Sequence, residues 1–285
     1  MEFEKQHYLS QFYLKGFGKC NPNPKSDAMQ NWVYFMHEKK IKLKEPQNFA
    51  YKSYLYSKIN ENNNYDHSLE KYFGDIENEV VSLIKDITNK VMKWNITHND
   101  FKFEMKEKIL LILFVFWSIK KTPIIKEKLK EKILTKIKED LGDHYSLYSS
   151  EISKFANNSS IELITNLDGK NDFNMFEILL NKNIHFIIST NDSSFITTDN
   201  PVVFYNPKGS NGIIYDSSEI YFSLNHKILL MLHENGNDVK IFKIPSKKKQ
   251  REINNFIAIN ANELIVSKDK EYLIRILKDL KYEYA

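Results

Sequence analysis

The fold is organised by an apolar run near the middle of the chain, which reads Ile109-Leu110-Leu111-Ile112-Leu113-Phe114-Val115-Phe116-Trp117-Ser118-Ile119. This run lies in a predicted helix from about Asp100 to Ile119, which ends near Lys121-Thr122-Pro123 because the residue before a proline is pushed out of helical geometry. The run is well short of the ~20 apolar residues that a membrane-spanning helix needs, and lysines flank it. Because a helix that is apolar nearly all round must be covered on several sides, we expect it at the centre of a helical bundle.

The segments around this run supply the other predicted helices. From His67 to Trp94 apolar residues recur every three or four positions, which indicates a long amphipathic helix that Asp66 can cap. Further bundle helices are predicted at 124–141, around 145–155 and at 173–180. A small hairpin is predicted near residues 32–44, because its second arm alternates apolar and basic residues.

After residue 182 the pattern changes to short β-branched and aromatic runs separated by Asn, Asp, Gly and Pro, which predicts a mostly antiparallel sheet. Helical spacing returns at 246–262 and 270–280, with a last strand predicted at 264–266. We therefore predict an α+β fold in which an N-terminal helical bundle half packs on a C-terminal, mostly antiparallel sheet. Residues 1–285 are expected to form a single unit, mainly helical over 1–182 and mainly sheet with terminal helices over 183–285.

Composition narrows the class of protein. Hydrophobic residues make up 42% of the 285 residues, which is too much apolar area for a disordered chain. The formal charge is only +4, so the composition allows nucleic-acid binding without requiring it. Cys20 is the single cysteine, which excludes an intramolecular disulfide and a zinc thiolate cluster and favours a reducing compartment. The N-terminus lacks the pattern of a signal peptide, so we expect a cytoplasmic protein with no membrane span.

Two polar motifs lie in apolar surroundings far apart in the chain, Gln6-His7-Tyr8-Leu9-Ser10-Gln11-Phe12-Tyr13-Leu14-Lys15-Gly16-Phe17 and Phe195-Ile196-Thr197-Thr198-Asp199-Asn200-Pro201-Val202-Val203. Together they resemble a bacterial family known only as domain of unknown function 4238. That family opens with His-Tyr-x-Pro-Gln-Phe-Tyr-Leu-x-x-Phe and later carries Phe-Ile-Thr-Ser-Asp-Asn-Pro. The resemblance brings no established activity, but it suggests a bacterial protein with a role in defence against phage.

The chain departs from the family pattern at two positions that bear on chemistry. Ser10 stands where the family usually has proline, which loosens the backbone without removing a reactive group. Lys121 stands where the family has the arginine of an Arg-Thr-Pro motif. Lysine keeps the positive charge but loses the bidentate fork that grips phosphate or carboxylate, which weakens an anion-binding role.

Each candidate residue also has a structural interpretation. His7 and Gln11 would project from one face of a helical segment, where they could bind a polar ligand or satisfy each other as a buried pair. Asp199 and Asn200 lie between a predicted strand and a proline, where short polar side chains have a constrained direction. The alternative there is an Asx turn in which Asp199 accepts hydrogen bonds from the downstream backbone.

Glu70 and Glu77 lie two turns apart on roughly the same side of the predicted long helix, and they match paired glutamates of the family. Paired carboxylates could hold a divalent metal or divide the roles of general acid and general base. The alternative is a charged helix face exposed to water, as an amphipathic helix requires.

The motifs that are present and those that are absent lead to two hypotheses about function. The motifs GxxxxGK[ST], GxGxxG, HExxH, CxxC and GxSxG do not occur, which disfavours P-loop motors, Rossmann dehydrogenases, thermolysin-like proteases and α/β-hydrolases. The first hypothesis is a nuclease or hydrolase, assisted by Glu70 or Glu77, whose catalytic residues converge in one site: His7, Gln11, Asp199 and Asn200. The second is a non-catalytic module that binds a partner protein or nucleic acid. The first hypothesis requires the N-terminal motif to approach the Asp199 turn.

Overall fold

A computed structural model describes residues 4–21, 28–94, 103–165, 170–190, 193–209, 215 and 217–284. Its α-helices are α1 (Gln11–Lys15), α2 (Ser68–Lys93), α3 (Met105–Lys120), α4 (Pro123–Leu141), α5 (Ser149–Thr165), α6 (Lys170–Leu180), α7 (Lys247–Ile259) and α8 (Lys270–Asp279). Short 3₁₀ helices cover Pro46–Asn48 and Gly142–Tyr148. The N-terminal strands are β1 (Lys5–His7), β2 (Lys19–Cys20), β3 (Met29–Phe35), β4 (Lys40–Lys44), β5 (Tyr51–Ser53), β6 (Lys58–Ile59) and β7 (Tyr65–Asp66). The later strands are β8 (Lys182–Ile188), β9 (Thr197–Thr198), β10 (Val202–Tyr205), β11 (Glu219–Ser223), β12 (Ile228–Asn235), β13 (Val239–Lys243) and β14 (Leu264–Ser267).

Helix α3 is the buried helix that the apolar run predicts. Its predicted beginning, at 100–102, lies outside the described residues. Glu104 and Glu107 form a capping box at its start, which satisfies backbone N–H groups that lack a helical partner. Buried side chains point in several directions from the helix, which packs against α2, α4, α6 and β10. No helix in the described part of the chain is long and apolar enough to cross a membrane.

Helix α2 has the amphipathic pattern that its sequence predicts. Its buried residues recur at helical spacing along one face: Phe73, Val80, Leu83, Ile87 and Val91. The Asp66 carboxylate accepts the Ser68 backbone N–H at 2.9 Å, although His67 occupies the N-cap position. The apolar face of α2 therefore packs toward α3, which leaves the polar face available for charged side chains.

The strands form two larger sheets and two short ribbons. The first sheet has the order β10-β11-β12-β8-β13, in which the β13–β8 pair is parallel and the other pairs are antiparallel. In the second sheet β3 pairs with β2 and β4 and also with β14, which in turn pairs with β9. The ribbons pair β1 with β5 and β6 with β7. The N-terminal hairpin is thus joined to the C-terminal part of the chain through β14.

Two hydrophobic clusters hold these layers together. The first joins α2 and α3 to β8, β11 and β12, and the rings of Phe114 and Phe222 lie 5.5 Å apart within it. The second cluster joins α7 and α8 to residues of both sheets, among them Tyr34, Leu229 and Ile265.

The predicted mixture of helices and mostly antiparallel strands is confirmed. The N-terminal 182 residues, however, contain more strands than the single predicted hairpin, namely β1, β2 and β5 to β7. These strands have two or three residues each, so no alternation can be recognised within them. The pairing of β3 with β14 joins residues more than 200 positions apart, which local patterns do not reveal. The single-unit organisation stays a prediction.

The burial of α3 gives a direct test. Val115 is 0% exposed, whereas Ile109 on the same helix is 42% exposed. Val115→Asp places an unpaired carboxylate in the core, and we expect a loss of several kcal/mol from a free energy of unfolding of about 5–15 kcal/mol. Ile109→Asp should change that free energy by only about 0.5–1 kcal/mol. Urea denaturation of both variants measures the difference, and equal losses would show that α3 is not buried on the Val115 side.

Candidate functional site

Helix α1 brings the two polar motifs together through Tyr13. The Tyr13 ring stacks on Phe222 with the centroids 5.3 Å apart, and its hydroxyl shares a 2.7 Å hydrogen bond with the Thr197 hydroxyl. Asn31 holds the same helix by donating its side-chain amide to the Leu14 carbonyl at 2.8 Å. The opening motif therefore contacts the second motif, as the first hypothesis requires, through Tyr13 and Thr197.

His7 and Gln11 lie in different elements. His7 is the last residue of β1 and pairs with Tyr51, whereas Gln11 begins α1 and is exposed. The helix begins only after Ser10, so the two side chains do not share a helix face. Their separation in structure leaves His7 beside α2 and Gln11 at the surface.

Asp199 is deeply buried, with 3% of its surface exposed, and its carboxylate is bonded to backbone. Its Oδ1 atom accepts the N–H groups of Asn262, Glu263 and Leu264 at 3.0, 3.0 and 3.1 Å. These residues connect α7 to β14. One carboxylate therefore fixes the turn that leads into β14, the strand that pairs with both β3 and β9. The Asp199 carboxylate therefore has a structural role, but through backbone 63 to 65 positions along the chain and not through the local Asx turn that was the alternative.

Asn200 completes the same turn. Its backbone N–H is donated to the Thr198 hydroxyl at 3.2 Å, and its side-chain amide lies 3.4 Å from the Asn260 carbonyl. Both contacts are with residues next to the turn that Asp199 holds. Asn200 thus reinforces the link between β9 and the end of α7.

His7 lies near enough to Glu77 and Lys121 to interact with their charges, and Glu70 interacts with the same two residues. We name His7, Glu70, Glu77 and Lys121 the His7 cluster. The Lys121 ammonium donates to Glu77 Oε1 at 2.8 Å, and the Lys121 side chain is only 7% exposed. The same ammonium lies 4.5 Å from the centre of the Phe73 ring. A lysine held by a carboxylate and an aromatic face is a fixed positive charge.

His7 has a lowered pKa and one ring nitrogen without a hydrogen-bond partner among the described residues. Burial lowers the pKa of His7 below its usual 6.5; the nearby Glu77 carboxylate raises it, and Lys121 lowers it further. Hydrogen bonds to the backbone of Pro46 and Gln47 also raise it, so one ring nitrogen is a donor. Nε2 is buried and has no hydrogen-bond partner among the described residues. In that tautomer Nε2 carries the lone pair and can accept a proton.

The pKa of Glu70 is shifted in the opposite direction to that of His7. Burial raises the pKa of the Glu70 carboxyl above 4.5, with Lys121 lowering it and Glu77 raising it. Its Oε2 atom is buried and has no hydrogen-bond partner within the described part of the chain. A carboxyl with a raised pKa retains its proton to higher pH, which suits it to donate one.

A narrow pocket opens beside this cluster, with a cavity volume of about 20 Å³, enough for one water molecule. Its polar lining includes Tyr8, Ser10, Glu77, Ser118 and Lys121. The Trp117 side chain also lines the pocket, and its indole N–H is buried and lacks a partner among the described residues.

Glu70 and Glu77 do not form a ready metal site by themselves. No group of three or more His, Cys, Asp or Glu side chains is arranged to hold a metal within the residues that the structure covers. Glu77 is bonded to Lys121, so a cation bound by both glutamates would have to displace the ammonium group.

Tyr8 and Trp117 are pocket residues that the sequence patterns did not single out. Tyr8 belongs to the opening motif, and its hydroxyl donates to Glu263 Oε2 at 3.2 Å, within the turn that Asp199 holds. Trp117 belongs to the apolar run, where the sequence predicts only that an aromatic side chain is buried in the core. The only sequence feature that points to either residue is the position of Tyr8 within the opening motif.

Comparison with protein families matches residues 5–271 to the family described as Protein of unknown function (DUF4238). The match covers most of the chain and confirms the family resemblance. No curated protein and no solved structure matches the chain.

The Asp199 turn gives the second prediction. We expect Asp199→Asn to lower the free energy of unfolding by about 1–3 kcal/mol, because the acceptor of three backbone N–H groups loses its charge. Asp199→Ala should cost more, since it leaves those groups unpaired. Asp238→Asn is the control, because the Asp238 side chain is 66% exposed. Urea denaturation measures all three; an Asp199→Asn protein as stable as the parent would contradict the structural role.

Proposed function

Because the chain belongs to this family, whose description names no activity, we propose a function from its own residues: a hydrolase that uses His7 as its general base. One observation carries the proposal: His7 Nε2, on an imidazole whose pKa is lowered, has no hydrogen-bond partner among the described residues and lies near the Glu77–Lys121 pair. A base must be unprotonated and must have a lone pair directed at its substrate, and His7 meets the first condition through burial.

The proposed reaction is the addition of water to a substrate. His7 Nε2 takes a proton from the water molecule, whose oxygen forms the new bond to the electrophilic atom. The bond to the leaving group breaks, and the Glu70 carboxyl gives that group its proton. A lowered pKa favours the unprotonated form that a general base needs, and a raised pKa favours the protonated form that a general acid needs. Burial shifts the pKa of His7 down and the pKa of Glu70 up.

Lys121 supplies the positive charge in this proposal. A fixed ammonium stabilises negative charge that develops on the substrate, and it does so more strongly where water is largely excluded. Glu77 holds the ammonium in place at 2.8 Å. Lys121 lacks the bidentate fork of the family's arginine, but a lysine still serves as a point charge beside a phosphate, so we propose phosphodiester hydrolysis and hence a nuclease activity.

The other predicted site residues have different parts in the proposal. Asp199 and Asn200 hold the turn before β14 and position Glu263, which accepts the Tyr8 hydroxyl. Gln11 is exposed at the start of α1 and stays a prediction as a substrate contact. A divalent cation on Glu70 and Glu77, displacing Lys121, is the alternative way to supply positive charge.

A non-catalytic binding module is the second candidate function. The observation that favours it is the commitment of the Asp199 carboxylate to three backbone N–H groups, which gives the second motif a structural role. A cytoplasmic location and a role in phage defence likewise stay predictions. Counting phage plaques on cells that carry the parent or a His7→Gln gene would test the defence role, which equal counts would contradict.

The third prediction concerns His7 directly. Purified parent protein is incubated with labelled single-stranded RNA or DNA, and with bis(p-nitrophenyl) phosphate, with and without EDTA. His7→Gln should lower the rate by about 100-fold or more, the range expected for loss of a general base. His37→Gln is the matched control, because His37 is exposed outside the cluster.

The EDTA arm and the control separate the alternatives. Activity lost in EDTA would favour the divalent cation on the two glutamates. Equal rates for His7→Gln and the parent would remove His7 as the base, and the absence of hydrolysis on every substrate would favour the binding module.

The fourth prediction is the pH dependence. Activity needs unprotonated His7, so it should fall with decreasing pH on an acid limb centred below pH 6.5. It also needs protonated Glu70, so it should fall with increasing pH on a limb centred above pH 4.5. We therefore expect kcat/KM to be highest on the acid side of neutrality. Glu70→Gln should lower the rate and remove the alkaline limb; a profile that rises monotonically to pH 9 would contradict these assignments.

A further inference from the structure

We propose that a separate cleft binds the phosphate groups of a small phosphorylated molecule such as a nucleoside diphosphate. This basic cleft is lined by cationic or ionisable residues from three parts of the chain: Lys19, His226, Lys227, Lys268 and Arg275. Its cavity volume is about 510 Å³, within the range of small-molecule sites. It shares no lining residue with the pocket beside the His7 cluster, so this proposal stands apart from the hydrolase proposal.

The strongest observation is a contact between two basic side chains. The Lys268 ammonium lies 3.0 Å from His226 Nε2, and the His226 Nδ1 donates to the Gly16 carbonyl at 2.7 Å. The carbonyl therefore fixes the tautomer in which Nε2 accepts from lysine. The neutral imidazole orients the ammonium while leaving its positive charge unbalanced.

Three cations of the cleft have no carboxylate partner among the described residues. Lys19, Lys268 and Arg275 form no ion pair with any residue that the structure describes. The Lys19 ammonium instead lies 5.4 Å from the centre of the Trp32 ring. A cleft that gathers cations without carboxylate partners has a positive potential, which attracts an anion.

The cleft also has two acidic residues, which limit the kind of anion. The Asp269 carboxylate accepts the Tyr272 N–H at 2.7 Å as the N-cap of α8, and Glu271 also lines the cleft. Four lysine and arginine side chains thus face two carboxylates. Those carboxylates would repel a long polyanion that crosses the cleft, so a compact anion fits better than a nucleic-acid strand.

Phosphate is the anion that these side chains suit best. An arginine offers paired N–H donors that match two phosphate oxygens, and lysines act as point charges beside it. Two or more charged groups spread over this cavity match a molecule that carries more than one phosphate. Pyrophosphate is the simplest probe with that chemistry, and ADP adds a nucleoside.

Isothermal titration of the full chain with pyrophosphate and with ADP tests the site. We expect a Kd below about 1 mM and at least about tenfold weaker binding in Arg275→Gln and in Lys268→Gln, since each loses a charge-assisted contact. Lys278→Gln is the matched control, because Lys278 is exposed on α8 and does not line the cleft. Its affinity should stay within about twofold of the parent.

Titrations with other ligands and other variants define the results that would overturn the proposal. Citrate that binds as tightly as pyrophosphate would show general attraction of anions, and an RNA oligonucleotide that binds tighter than ADP would show a different ligand class. No pyrophosphate binding, or equal binding by Arg275→Gln and the parent, also overturns it. Arg275 makes no hydrogen bond among the described residues, so its replacement should not disturb folding. His7→Gln should bind pyrophosphate like the parent, which separates this test from that of the hydrolase.

Discussion

The structure depends on the buried hydroxyl and ring of Tyr13. The ring fits between Phe17, Phe114 and Phe222, so one side chain joins α1, α3 and β11. Its hydroxyl must find a partner in the core, and Thr197 supplies it at 2.7 Å. Because that bond has a fixed direction, it sets the position of α1 on the sheet more closely than apolar packing would. β1 and α1 are nearly contiguous, so the same constraint places His7 beside α2.

The close approach of α1 to the sheet continues at Gly16. A Cβ atom there would lie 3.0 Å from the Asn225 Cβ and 3.0 Å from the Tyr13 carbonyl, so a side chain would push the helix away. The Gly16 carbonyl accepts both the backbone N–H and the ring N–H of His226. One short segment therefore supports two polar regions, the His7 cluster at its beginning and the basic cleft at its end.

Sequence patterns predict those parts of the fold whose signal lies within one segment. The apolar run gives α3, the three-to-four spacing gives α2, and the β-branched runs give β8 and β10 to β13. The short strands β1 and β5 carry no period, and the pairing of β3 with β14 depends on distant residues. The candidate site follows the same rule: the motif indicates His7, and helix spacing indicates Glu70 and Glu77. The encounter of His7 with Lys121 arises only in the folded chain, because it needs β1 against α2 and the end of α3.

The His7 cluster contains buried polar atoms whose lack of partners, within the described part of the chain, costs free energy of folding. A buried polar atom without a partner costs about 1–3 kcal/mol. The cluster and its pocket hold three buried atoms that have no partner among the described residues: His7 Nε2, Glu70 Oε2 and the indole nitrogen of Trp117. Among the described residues, five further buried side-chain atoms lack a partner, one each on Asn31, Ser189, Ser223, Gln250 and Asn255. A purely structural role for the cluster would be served better by apolar side chains, since replacing a buried ion pair by such residues is often neutral or stabilising. Three of the eight such atoms among the described residues therefore belong to the His7 cluster and its pocket, and this grouping is what the hydrolase proposal draws on.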